Sequence, residues 1–135
     1  MLITDLDGST QKWNLTGNIA HGKITNKSSF HMKARSIISK IFPTLQVLEE
    51  VPIPLKRGET LYLDFYLPLK QMCIEVHGEQ HYKFVGFYHT NKLSFLKAQK
   101  RDREKEEWCH INGINHIVLP HFETEEQWLE RLQNG

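Results

Sequence analysis

The sequence predicts a single α/β domain in which helices flank a central four-stranded mixed sheet, the elements following in the order α-β-β-β-α-β-α. Three observations carry this. Residues 61–67, LYLDFYL, and 72–77, MCIEVH, alternate apolar and polar side chains as half-buried strands do. Residues 92–111 read as one long helix ended by Asn112-Gly113. Residues 114–119, INHIVL, are too short and too β-branched for a helix and form the last strand.

Taken in order, residues 1–27 are irregular, with Gly8, Gly17, Gly22 and the lone aromatic Trp13, and read as an extended arm with a short hairpin. The domain proper is expected over 28–135. Ser28 or Ser29 caps a first helix running to about Ile41, with Met32, Ile37, Ile38 and Ile41 apolar and Pro43 beyond its end. A strand over 47–53 follows, then a basic turn around Gly58. In the next strand Leu61, Leu63, Phe65 and Leu67 are expected to face the core, with Tyr62, Asp64 and Tyr66 facing away. Residues 68–71, PLKQ, join it as a hairpin to 72–77, where Met72, Ile74 and Val76 share one face and Cys73, Glu75 and His77 the other. That pairing sets Asp64 beside Glu75. Tyr82, Phe84, Phe87 and Tyr88 follow and read as loop or core packing. The long helix is unusually polar from Ala98 to Glu107, and a final helix capped by Thr124 runs to Leu132.

A chain of 135 residues supports one core, and no apolar run approaches the roughly 18 residues of a membrane span. The start, MLITDLDGST, lacks the basic and apolar regions of a secretory signal, so a cytoplasmic protein is expected. Cys73 and Cys109 are too few for a disulfide framework or a zinc ribbon and read as buried free thiols. The net charge of +1 conceals sorting along the chain: no acid occurs between Gly8 and Leu48, a span that holds Lys12, Lys23, Lys27, Lys33, Arg35 and Lys40. A second basic run holds Lys92, Lys97, Lys100, Arg101, Arg103 and Lys105. This asymmetry suits a polyanion on one side of the molecule, with Lys12, Lys23, Lys27, Lys33, Arg35, Lys97, Lys100 and Arg101 as candidate phosphate contacts.

Two carboxylates on neighbouring strands repel each other unless a cation stands between them. Asp64, Glu75 and the main-chain carbonyl of Val76 offer hard oxygen ligands suited to Mg²⁺ or Mn²⁺. His77 and His81 bring imidazoles to the same place, where one can act as general base near neutral pH. The combination is suited to phosphodiester hydrolysis.

An acid on one strand, a short hairpin, and then acid-x-Lys or a substitute on the next, inside α-β-β-β-α-β, resembles the PD-(D/E)XK nuclease superfamily. Here it reads Asp64, ten residues, then Glu75-Val76-His77. The ensemble LDFYLP, IEVHGEQHY, KRDREK and NGI, in order between about Ser28 and Leu119, is similar to the very-short-patch repair and EDxHD homing endonucleases. The resemblance implies a restriction-endonuclease-like core and an Mg²⁺- or Mn²⁺-dependent endonuclease of homing or mismatch type. It further implies double-stranded DNA as the partner, and a homodimer where both strands are cut. By the same resemblance Asp64 is the metal-binding strand aspartate, Glu75 the second acid, His77-Gly78 the strand end, His81 the base and Asp102 the helix aspartate that orients it. Two departures stand out. His77 occupies the position of the superfamily lysine, and His31 that of a glutamate often found on the first helix, leaving open whether His31 binds metal, touches phosphate or packs.

Competing expectations are a non-catalytic nucleic-acid-binding module on the same fold and an interaction protein without nucleic acid. Asp102 reads equally as a salt-bridge partner of Arg101 or Lys105 on its own helix. His89, His110, His116 and His121 have no partner at metal-ligand spacing and read as structural.

Overall fold

Alternation and capping place the elements close to where the sequence puts them. The computed structural model describes residues 2–13, 15, 18–19, 29–55, 57, 59–82 and 92–135. A hairpin comes first, β1 (Leu2–Thr4) pairing antiparallel with β2 (Thr10–Lys12), and the two-residue β3 (Asn18–Ile19) follows. Then come α1 (Ser29–Ile41), β4 (Leu48–Ile53), β5 (Leu61–Leu67) and β6 (Met72–His77). The chain closes with α2 (Lys92–Ile111), β7 (Asn115–Pro120) and α3 (Glu125–Asn134). The sheet order is β3-β4-β5-β6-β7: the four expected strands plus β3 on the β4 edge. Strands β3 to β6 pair antiparallel, and β6 pairs parallel with β7. A parallel neighbour needs a crossover, which α2 supplies.

The C-terminal end of α2 and the N-terminal end of α3 are built from local chemistry. Gly113, at φ 67°, takes the left-handed position that stops α2. Thr124 accepts from the Gln127 amide and Gln127 returns a bond to the Thr124 amide, a complete capping box for α3.

The sheet is covered on both faces. On one, Phe65, Leu67, Met72, Ile74, Val76, Ile117 and Leu119 pack under α1 and α3, around Trp128 and Leu132. On the other, Leu48, Val51, Leu61, Leu63, Tyr66 and Cys73 pack with Trp108 and Cys109 of α2 and with Ile3 and Trp13. Leu61 and Leu63, expected on the face of Phe65 and Leu67, lie instead with Tyr66, and Tyr66, expected to face away, is 1% exposed, because the strand changes face and α2 with the N-terminal hairpin makes this side of the sheet a second core. The hairpin expected within residues 1–27 belongs to that core: Trp13 lies 5.0 Å from both Tyr66 and Trp108, ring centre to ring centre. Asn112 ties it further, accepting from the Thr4 amide at 2.7 Å and donating to the Thr4 carbonyl.

The strand pair β4–β5 departs from plain alternation at one place. Leu48 and Val51, three residues apart, belong to the α2-side core, as do their partners Tyr66 and Leu63. Between them the pleat changes face at Glu50 and Asp64, and Glu50 sits at φ 53°. A non-glycine strand residue there is strained by about 1–3 kcal/mol, and such strain gathers at functional sites.

Candidate active site

The ladder between β5 and β6 runs from Leu67↔Met72 to Phe65↔Ile74, and its next step brings Asp64 to Glu75. The Val76 amide donates to Asp64 Oδ2 at 2.9 Å. Glu75 is 1% exposed and reaches Asp64 with its carboxyl group. Burial, followed by the Asp64 charge, pushes its pKa well above the ordinary carboxylate range, against the pull of Lys105.

The sequence places Lys105 in a basic run and offers it as a helix partner of Asp102, with no link to Glu75. Its Nζ stands 3.4 Å from Glu75 Oε1, close enough for an ion pair, while Oε1 itself receives no aligned hydrogen bond among the described residues. Burial lowers the Lys105 pKa, but Glu75, Asp64 and Asp102 together raise it above its ordinary value. A constant cation therefore lies beside the acid pair, supplied by a helix rather than by the strand. The readable signal was the helical spacing Asp102, Lys105, Cys109, which places the three on the face that α2 turns to the sheet.

After β6 the chain turns back through one 3₁₀ turn, Glu79–His81, closed by the His81 amide on the Gly78 carbonyl at 3.1 Å. Gly78 itself is at φ −73°, so the short helix and not glycine's freedom makes the reversal. The turn lays the His81 ring flat on His77, 4.2 Å between centres and 4° between planes. His81 Nδ1 lies 2.8 Å from Asp102 Oδ2. Asp102 thus meets the histidine across the site, whereas Arg101 turns to Glu59 at 2.9 Å. Burial raises the Asp102 pKa, but the His81 hydrogen bond and nearby positive charges hold it below its usual value. Burial, then His81, lowers His77 to about 4. His77 is therefore neutral at pH 7 and cannot stand in for a lysine.

His31 lies inside the molecule, 6% exposed, stacked on Phe65 at 4.5 Å with its Nε2 3.1 Å from Glu49 Oε1. Arg35 grips the same carboxylate with two bonds, Nε to Oε1 at 2.8 Å and Nη2 to Oε2 at 2.6 Å. Burial raises the Glu49 pKa, but Arg35 and His31 bring it below the ordinary range. At the pleat change, His31, Glu50 and Asp64 each offer a donor atom within 4.8 Å of the others. Glu49 and Glu50 were not singled out in the sequence, although an acid pair inside an apolar strand was the available sign.

The candidate phosphate contacts are dispersed. Lys12, Lys97 and Lys100 are exposed. Lys33 lies over the Trp128 ring at 4.6 Å, and Arg35 and Arg101 are ion-paired. Lys33 and Arg35 sit on α1 and Lys97, Lys100 and Arg101 on α2, and the two helices cover opposite faces of the sheet, so these cations do not form one helical surface. Lys23 and Lys27 lie outside the described residues, as do Phe84, Phe87, Tyr88 and His89. Tyr82 is 43% exposed and packs edge-on to Phe122 and against His121, extending an aromatic surface from His77.

Fold and site together define a mixed α/β domain with an acid pair, a lysine and a histidine–aspartate pair grouped near the end of β6. No family model matches the chain, and no solved structure does. The chain is 34% identical over 86 residues to uncharacterized protein 033L of Invertebrate iridescent virus 3, covering 57% of this chain and 44% of that protein. It is 38% identical over 61 residues to uncharacterized protein 307L of Invertebrate iridescent virus 6, covering 45% and 31%. To uncharacterized protein 094L of Frog virus 3 it is 35% identical over 65 residues, covering 47% and 42%. The chain thus spans less than half the length of these relatives. No described helix is long and apolar enough to cross a membrane.

Proposed function

We propose that this chain is a divalent-metal-dependent endonuclease that hydrolyses phosphodiester bonds in double-stranded DNA, on a restriction-endonuclease-like core of the PD-(D/E)XK type. The observation that carries the proposal is the convergence of Asp64 and Glu75 with Lys105 and the His81–Asp102 pair, drawn from two strands, a turn and a helix. The half-buried Asp64 and buried Glu75 fit a hard cation: two carboxylates in mutual contact, one with an oxygen lacking a hydrogen bond, are a donor set that Mg²⁺ or Mn²⁺ satisfies. Asp64 and Glu75 would hold it, with the Val76 carbonyl as the third candidate. Such an ion, when bound, offsets charge on the phosphate and lowers the pKa of water.

The protein's own groups divide the remaining work. Asp102 accepts the proton on His81 Nδ1 and so leaves Nε2 free to take a proton from an attacking water. Lys105 fixes the position of Glu75 and adds positive charge where a phosphate oxygen would lie. Exposed Lys97 and Lys100 supply backbone contacts, and a homodimer would serve cleavage of both strands. The test offers the purified chain labelled duplex DNA, single-stranded DNA and RNA with Mg²⁺, with Mn²⁺ and with chelator. Cleavage of duplex that needs the ion is expected. Binding without cleavage under every condition would instead make it a non-catalytic module.

A further inference from the structure

We propose that Cys73, Glu75 and His116 form a binding site for a soft divalent transition-metal ion, Zn²⁺ in class, on the α2 side of the sheet. The parallel pairing of β6 with β7 sets Cys73 directly beside His116, and Glu75 follows two residues later on the same face as Cys73. One donor atom from each of the three lies within 4.8 Å of the others. All three donors are inside: Cys73 is 0% and Glu75 1% exposed, and His116 Nε2 is shut off from solvent.

Among the described residues neither Glu75 Oε1 nor His116 Nε2 has a hydrogen-bond partner. Glu75 Oε1 faces the Lys105 ammonium at 3.4 Å, whereas His116 Nε2 is left orphaned in a buried cluster, which is unusual, since buried polar side chains are nearly always satisfied. A metal ion would satisfy both at once. The donor set also says which metal. Thiolate and imidazole together select zinc-like ions, whereas Mg²⁺ and Ca²⁺ take oxygen alone. Three protein donors leave a fourth position for water. On binding, Cys73 releases its proton to solvent and the sulfur lone pair bonds the metal.

A route in exists. His116 lines a groove of about 750 Å³ between α2 and β7, whose walls include Arg103, Glu106 and His110. Cys109, also fully buried, lies within hydrogen-bonding reach of Cys73 and is the neighbour a test must separate from it. Glu75 belongs to both this cluster and the proposed catalytic one. A bound soft ion would replace Lys105 as its counter-charge and draw it from Asp64; that consequence rests on the proposed function, while the binding site does not.

The experiment titrates the metal-free full chain with Co²⁺ and reads thiolate-to-cobalt charge-transfer absorption in the near ultraviolet. The wild type should develop the band with one Co²⁺ per chain, and Zn²⁺ should displace it. Cys73→Ala should abolish the band, and Cys109→Ala should keep it. His116→Ala, which keeps both thiols, should weaken Co²⁺ by more than the roughly 10- to 100-fold that loss of a merely supporting residue costs. Absence of the band in the wild type overturns the proposal, whether or not the protein cleaves DNA. So does a band that survives Cys73→Ala but not Cys109→Ala, or an affinity that His116→Ala leaves unchanged.

Discussion

Lys105→Met removes the ammonium that stands 3.4 Å from Glu75 Oε1 while keeping most of the side chain's length. Glu75 is 1% exposed and faces Asp64, so the change leaves a buried carboxylate without its counter-charge. Breaking a buried pair in this way destabilises by about 3–5 kcal/mol when the remaining charge has no escape. Here it has one, because Glu75 can take up a proton. For a carboxyl whose unfolded pKa is about 4.3, that uptake costs about 4 kcal/mol at pH 7.5 and about 1 at pH 5, which caps the effect. The wild type already bears part of it, since burial and Asp64 raise Glu75 with Lys105 in place. A raised carboxyl stabilises below its unfolded pKa and loses that stability as pH climbs toward its folded pKa, which Lys105→Met moves higher still. The expected loss is therefore roughly 2–3 kcal/mol at pH 7.5 and under about 1 at pH 5. Urea denaturation of metal-free protein at the two pH values measures it. Equal losses at both, or none at pH 7.5, would refute the pairing.

Asp64→Asn relieves the repulsion with Glu75, so the metal-free protein should melt at the same temperature or higher, while calorimetry should show Mn²⁺ affinity lost. His77, lowered to about 4, stays neutral as the unfolded chain takes up a proton, so it withdraws stability as pH falls from about 6.5 toward 4. His77→Gln should flatten the melting temperature across that window, and an unchanged slope would mean another group titrates there. Arg35→Ala leaves Glu49 buried with His31 and should destabilise by about 3–5 kcal/mol, by urea denaturation. Lys97 with Lys100 changed to alanine should leave stability alone and flatten the dependence of log K for DNA on log salt by up to about two units.

The strands were legible because apolar residues recur at every second position of LYLDFYL and MCIEVH, although the first changes face at Asp64 and parts Leu61 and Leu63 from Phe65 and Leu67, and α3 was legible because Thr124 caps it in sequence as in space. Asp64, Glu75 and His81 could be joined from sequence because a hairpin fixes the first two and a short turn the third, whereas Asp102 was joined to them by the resemblance, its own helix offering Arg101 and Lys105 as equal partners. What the sequence hid depends on which face meets what. Tyr66 looked outward because one apolar face seemed enough, and only α2 with the hairpin around Trp13 makes the other face a core. Lys105 was hidden among the cations of its helix, since its partner Glu75 lies thirty residues away across the sheet. Glu49 and Glu50 were passed over because a left-handed strand residue changes the pleat and breaks the period on which the reading relied.

Asp64, Glu75, Lys105 and the His81–Asp102 pair are proposed as one hydrolytic centre. Single-turnover nicking of supercoiled plasmid in Mg²⁺, with DNA affinity measured in parallel, tests it most directly. Wild type should nick and chelator should stop it. Asp64→Asn should be inactive, and His81→Ala should fall by roughly two to four powers of ten with affinity nearly unchanged. Nicking that persists in Asp64→Asn, or a loss in His81→Ala matched by an equal loss of binding, would contradict the claim.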